Sequence, residues 1–192
     1  MERMITVFLA SVLTHNIALT YILGMCPMIA ISKNLKTAKG MGISVVAVIT
    51  ITGALNWPIY RFLKNNGAET ISLLVFIITI AATVQLLEML LDKFIPTLYN
   101  AFGIFLPLIT VNCAILAGSM FMVTREYNLM ETVAFGLGGG FGWFIAIVAL
   151  AAIREKIRYS DVPAPLRGLG MAFLITGLMG LAFLGLMGID PA

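Results

Sequence analysis

The chain carries two cysteines, Cys26 and Cys113, and each stands among residues that disturb helices. Cys26 follows Gly24 by two positions and directly precedes Pro27, with Thr14, His15 and Asn16 upstream in the same apolar stretch. Cys113 directly follows Asn112 and lies in a stretch that also holds Asn100, Gly103, Pro107 and Thr110. Proline removes one helical hydrogen bond and disturbs the carbonyl one turn back, and glycine lets another backbone approach closely. A helix broken inside an apolar medium exposes backbone N–H groups, which can hydrogen-bond a buried anion or the sulfurs of a cluster. Thiolates are the ligands of iron–sulfur clusters, and a [2Fe–2S] cluster held by cysteine alone needs four. Two cysteines supply half of that set, so a cluster here requires another protein chain. Against this stands the commoner role of a single cysteine in an apolar helix, a small apolar filler. The recurrence of the same surroundings at both thiols is what favours the ligand reading.

Other residues point less sharply. Gln85, Glu88 and Asp92 follow a helical spacing, and an ionisable group within a membrane is a functional candidate, although Glu88 and Asp92, beside Lys93, equally suit a solvated helix end. Asn56-Trp57-Pro58 reads as an aromatic anchor at a membrane interface. Gly136, Gly138, Gly139, Gly140 and Gly142 resemble a phosphate loop only superficially, because no strand precedes them and no Lys-Ser/Thr follows. Gly136/Gly140 and Gly138/Gly142 make two small-xxx-small pairs, which are expected to pack helices closely, with a partner protein as one candidate neighbour. The stretch Arg154–Pro163 mixes charges, which suits either docking of a soluble electron-transfer protein or an ordinary connecting loop.

The elements that must position these residues are transmembrane helices. The chain is 60% hydrophobic and 11% charged over 192 residues, whereas soluble domains are about 45–50% apolar and about 25% charged. This excludes an ordinary soluble domain. The net charge of +3 sits in short loops and gives no nucleic-acid footprint, and one histidine is too few for a histidine-built metal site. Six apolar stretches are long enough to span a hydrocarbon core: 5–31, 41–62, 70–91, 98–123, 132–153 and 168–188. Arg3 precedes the first, which is expected to be a retained span, because no small-residue cleavage site follows its apolar start. The first, third and fifth connections hold Lys33, Lys36, Lys39, Lys93, Arg154, Lys156, Arg158 and Arg167, against Arg3, Arg61, Lys64 and Arg125 on the other side. That excess places the odd-numbered connections in the cytoplasm and both termini outside. The cysteines occupy spans one and four, so the expected architecture is all-α: a single membrane domain over 1–192, built as two inverted three-helix repeats (1–96 and 97–192) with helices one and four interrupted.

Three runs of residues carry a resemblance. They are Leu23-Gly24-Met25-Cys26-Pro27 with Ile31-Ser32-Lys33, the run from Leu98 through Gly103-Ile104-Phe105-Leu106-Pro107-Leu108-Ile109-Thr110 to Asn112-Cys113-Ala114, and Ile153-Arg154-Glu155-Lys156-Ile157-Arg158-Tyr159-Ser160-Asp161-Val162-Pro163 leading into Leu166-Arg167-Gly168-Leu169-Gly170. Together they closely resemble the E-type subunits of the bacterial Na⁺-translocating NADH:quinone reductase (NQR). The second run is shared with the A-type subunits of the Rnf ferredoxin:NAD⁺ oxidoreductases, while the third is more similar to the NQR proteins. Met28 departs from the aromatic that more usually follows the Cys-Pro step.

The resemblance implies a multi-pass protein of the bacterial inner membrane, paired with a paralogous D-type subunit of opposite orientation and assembled with the A, B, C and F subunits of the same complex. It implies that Cys26 and Cys113 join two partner cysteines around an intramembrane [2Fe–2S] cluster. Electrons would pass through that cluster from the cytoplasmic NADH-oxidising subunit toward flavins on the other side, in a complex that reduces ubiquinone and exports Na⁺. NADH, FAD, FMN, riboflavin and quinone are expected in other subunits, with no independent catalysis by this chain. The main alternatives are a component of the Rnf complex and a stand-alone secondary transporter, in which His15, Asn16, Asn100 and Asn112 would line a substrate site.

Overall fold

The computed structural model describes residues 2–94, 107–161, 163, 166 and 168–185, and all regular structure among them is helical. The helices are α1 (Glu2–Val12), α2 (Met25–Ile31), α3 (Leu35–Asn65), α4 (Ser72–Phe94, entered through a 3₁₀ turn at Glu69–Ile71), α5 (Pro107–Thr110), α6 (Cys113–Thr124), α7 (Leu129–Ile157) and α8 (Leu169–Leu184). Among the described residues, four helical segments are long and apolar enough to cross a membrane: Leu35–Asn65, Glu69–Phe94, Pro107–Thr124 and Leu129–Ile157. The apolar Leu169–Leu184 is shorter. At 1.5 Å per residue, α3 and α7 each extend for about 45 Å, well beyond the roughly 30 Å of a hydrocarbon core.

Helix α7 is the hub. It starts at a capping box, in which the Asn128 N–H donates to Glu131 Oε2 at 3.1 Å. It ends on Arg154 and Lys156, whose charge complements the negative end of the helix. Its glycines divide between two neighbours. A Cβ on Gly140 would lie 2.8 Å from Val46 Cα, and Gly136 faces Thr50 and Ile49, so this pair seats α3. Gly138 faces Phe8 and Ser11, and Gly142 faces Val12 and Asn16, so the second pair seats α1 and the chain just after it. Both small-residue faces are therefore filled within the chain, and the partner considered from the sequence is not needed to explain them.

Hydroxyls on α3 and α8 turn back on their own backbone. Thr50 donates to Val46 O, Thr52 to Val48 O and Thr176 to Ala172 O, which satisfies each O–H without a neighbour. Other polar side chains instead tie helices together. Asn56 in α3 is fully buried, donates to Ser119 Oγ of α6 at 2.9 Å, and accepts from Thr79 Oγ1 of α4. Its neighbour Trp57 donates Nε1–H to Tyr127 O at 2.9 Å and carries Arg61 over its ring. The segment expected to be an interface anchor forms an interhelical lock.

Two boundaries differ from the hydropathy reading. Helix α3 begins at Leu35, so the first connection is only Ser32–Asn34, and Lys36 and Lys39 lie on its first turns. Helix α7 carries on through Ile157, so Arg154 belongs to a helix and not to a loop. Charged residues lower a hydropathy average but are good helix formers, so a span's helix outruns its apolar centre.

Candidate functional site at two adjoining helix breaks

The first apolar stretch is a helix, an irregular segment at 13–24, and a second short helix. Asn16 organises the start of that segment. It is buried, its Oδ1 accepts from the N–H groups of Ala18 (3.0 Å) and Leu19 (3.3 Å), and its Nδ2 donates to Val12 O (3.1 Å). One amide thereby closes the end of α1 and opens the next turn. The segment ends at Gly24, whose φ of 78° is left-handed and favours glycine. Ile22, with φ 56°, is a β-branched residue in the same region, a conformation that costs on the order of 1–3 kcal/mol. Cys26 is the second residue of α2, and Pro27 sits in that helix's first turn, where no intrahelical donor is lost.

The second break lies between α5 and α6. Pro107 opens α5, the chain leaves helical geometry at Val111 and Asn112, and Cys113 is the first residue of α6. Asn112 is the N-cap, with Oδ1 accepting from Ala114 N at 3.0 Å, the same local device that Asn16 uses with Ala18. Asn100 and Gly103, and the residues from Leu98 to Leu106 in the second quoted run, lie outside the described residues, as do Pro165 and Arg167.

The two breaks meet at Gly24. A Cβ there would stand 2.6 Å from Trp143 Nε1, 2.9 Å from Ala114 Cβ and 2.9 Å from Asn112 Oδ1. Gly24 is two residues from Cys26, while Asn112 and Ala114 flank Cys113. Trp143, fully buried on α7, backs the junction. Two N–H donors there, Asn112 Nδ2 and Trp143 Nε1, are buried without a hydrogen-bond partner. Both thiols are free and exposed at the protein surface. Among the described residues no group of three or more His, Cys, Asp or Glu side chains comes together to hold a metal ion. The chain offers two outward-facing thiols beside a common junction, which suits half of a shared cysteine ligand set and cannot complete one.

Helix α2 is held from its far end by Arg154, whose Nη1 donates to Ile29 O at 2.8 Å and to Ser32 Oγ at 2.6 Å. A charge read from the sequence as topogenic is also a cap on the Cys26 helix. His15 belongs to an aromatic and basic group. Its Nδ1 meets Tyr21 Oη at 3.3 Å, and Arg125 donates to both Tyr21 Oη and Tyr127 Oη while lying over Phe121 and Phe135. Thr14 donates to Ala10 O. Glu88 is half-buried on α4, and Gln85 and Asp92 are exposed. Trp143 escaped the sequence reading, and Arg154 and Arg125 were read there only for their charge, because none stands near a thiol in the chain. The only sequence hint for Trp143 is its place at the end of the glycine run.

A model of the Rnf-Nqr subunits, described as membrane proteins, matches residues 4–190. The chain is 54% identical over 201 aligned positions to a protein of Methylococcus capsulatus named as the E subunit of a Na(+)-translocating NADH-quinone reductase, covering 99% of this chain and 100% of that protein. With the same coverage, proteins of that name from Pseudomonas aeruginosa and Psychrobacter sp. are 53% and 52% identical. With helices fit to cross a bilayer and a family match over nearly its whole length, this chain belongs to the Rnf-Nqr family of membrane proteins.

Proposed function

We propose that the chain is a membrane component of a bacterial Na⁺-translocating NADH:quinone reductase, and that Cys26 and Cys113 supply two of the four thiolates of an intramembrane [2Fe–2S] cluster. The observation that carries the proposal is the seating of Gly24 against Asn112 and Ala114, which brings the two cysteine-bearing breaks to one place. The free, exposed thiols support it, since ligands completed by another protein must face outward. The names of the relatives support the complex to which the chain is assigned.

The other two ligands come, on this reading, from a paralogous D-type subunit inserted with opposite orientation, as part of an assembly with the A, B, C and F subunits. When bound, the cluster supplies one-electron transfer between the NADH-oxidising subunit in the cytoplasm and the flavin-bearing subunits across the membrane. The residues of this chain hold and orient. Gly24 allows the breaks to touch, Asn112 caps the helix that starts at Cys113, and Arg154 fixes the far end of the Cys26 helix. The wider architecture is six spans in two inverted repeats, 1–96 and 97–192, forming one membrane domain in the inner membrane with both termini periplasmic. NADH, FAD, FMN, riboflavin and ubiquinone are bound by other subunits.

The test is replacement of each thiol in the assembled complex, as Cys26→Ala and Cys113→Ala. Each variant is expected to lose the membrane iron and its paramagnetic resonance signal, and with them quinone reductase turnover. Full iron content and turnover in both variants would remove Cys26 and Cys113 as ligands.

A further inference from the structure

Away from the cysteines, four helix ends surround a recess of about 550 Å³: the end of α2, the start of α3, the end of α7 and the start of α8. Lys33, Arg154 and Arg158 line it, and no carboxylate does among the described residues. Arg154 Nη1 is engaged only with neutral acceptors, Ile29 O and Ser32 Oγ, so those bonds leave its charge uncompensated. Neither described ion pair, Arg3–Glu131 or Lys64–Glu126, involves any of the three cations. Two helix starts add to the positive field. Asn34 and Gly168 are the N-caps of α3 and α8, both line the recess, and neither helix has a side-chain cap hydrogen bond. The remaining wall is mixed, with Ser160 beside the apolar Ile157 and Met171.

Three like charges around one hollow repel each other, and a bound anion relieves that cost. The size exceeds what a single carboxylate or free phosphate fills, and the apolar part of the wall matches a glycerol backbone and the first methylenes of an acyl chain. The excess of lysine and arginine at this end marks it as the cytoplasmic interface, where anionic lipid headgroups lie. We propose that the recess binds the phosphate group of an anionic phospholipid, of the phosphatidylglycerol or cardiolipin class.

The experiment uses the chain purified with its natural membrane partners and placed in bilayer discs of mixed phosphatidylethanolamine and phosphatidylglycerol, with retained lipid measured by native mass spectrometry after detergent washing. The double variant Lys33→Gln/Arg158→Gln is expected to keep about tenfold less phosphatidylglycerol than the parent. The variant Lys36→Gln/Lys39→Gln, with the same charge loss outside the recess, is expected to keep the parental amount. Millimolar inorganic phosphate is expected not to displace the lipid. Unchanged retention in the first variant, or equal loss in both, would overturn the site. Displacement by inorganic phosphate would reassign it to a free anion, and loss of a partner protein with lipid retained would reassign it to an acidic protein surface; either result ends the lipid proposal. Arg154 is left intact throughout because it also caps α2.

Discussion

Gly24 answers to two separate demands, a left-handed backbone and the close approach of Trp143, Ala114 and Asn112. The two demands can be measured apart. Gly67 also has a left-handed φ, of 70°, but a Cβ there would meet nothing within 4 Å. Gly67→Ala is therefore expected to cost only the conformational term, about 1–2 kcal/mol. Gly24→Ala is expected to cost at least about 2 kcal/mol more, since the breaks must also move apart. Thermal unfolding of the purified complex reads the difference, and iron content shows whether the thiol junction survives. Equal destabilisation by the two changes would mean that contact at Gly24 contributes nothing. The unpartnered N–H groups of Asn112 and Trp143 fit this picture of a junction whose geometry is imposed from outside, because buried donors left unpaired cost on the order of 1–3 kcal/mol each.

At the scale of elements, α7 holds the irregular segments in place because its two glycine faces are narrow enough to admit backbone on both sides. The face toward α3 is tested by Gly140→Ala, which sets a methyl against the backbone of Val46 and is expected to cost about 1–3 kcal/mol. Gly177→Ala on α8 is the matched control. Nothing lies within 4 Å of a Cβ there, and the change is expected to be neutral or stabilising by up to about 1 kcal/mol, through helix propensity alone. Unfolding midpoints in detergent check both, and an unaffected Gly140→Ala would show that the pair of long helices is looser than their contacts imply. The polar tie among Asn56, Thr79 and Ser119 has a different role, since it fixes which faces of α3, α4 and α6 meet within an otherwise apolar interface.

For the whole molecule, the decisive quantity is the distribution of charge between its two sides. Thiol labelling of intact cells with a membrane-impermeant reagent tests the proposed orientation. Met130→Cys, in the exposed first turn of α7, is expected to label from outside, and Tyr159→Cys, at a position 88% exposed beyond the end of α7, only after the membrane is opened. The reverse pattern would invert the orientation and move the lipid recess to the other face. Apolar side chains crowd the outer surface of α4 and α8, among them Leu74, Ile78, Leu86, Leu178 and Leu181, as a bilayer or a membrane partner allows and water does not.

Composition alone determined that the chain belongs in a membrane, because so much apolar surface with so few charges has no soluble solution. Asparagine before each cysteine, with Gly24 beside Cys26, marked where helices break, since these residues act on the backbone within a turn or two of themselves, whereas Pro27 and Pro107 stand in the first turns of helices. That is why the segment before Cys26 and the step into Cys113 were legible, as was the helix-packing role of the α7 glycines. Which surfaces those glycines would face was not. The meeting of Gly24 with Asn112 and Trp143, the cap that Arg154 places on α2, and the basic recess at four helix ends all join residues tens to more than a hundred positions apart. Hydropathy and spacing describe a helix to its own axis only. Which helix it packs against is decided by the fit of side chains across the fold, and that exists only once the chain has closed on itself.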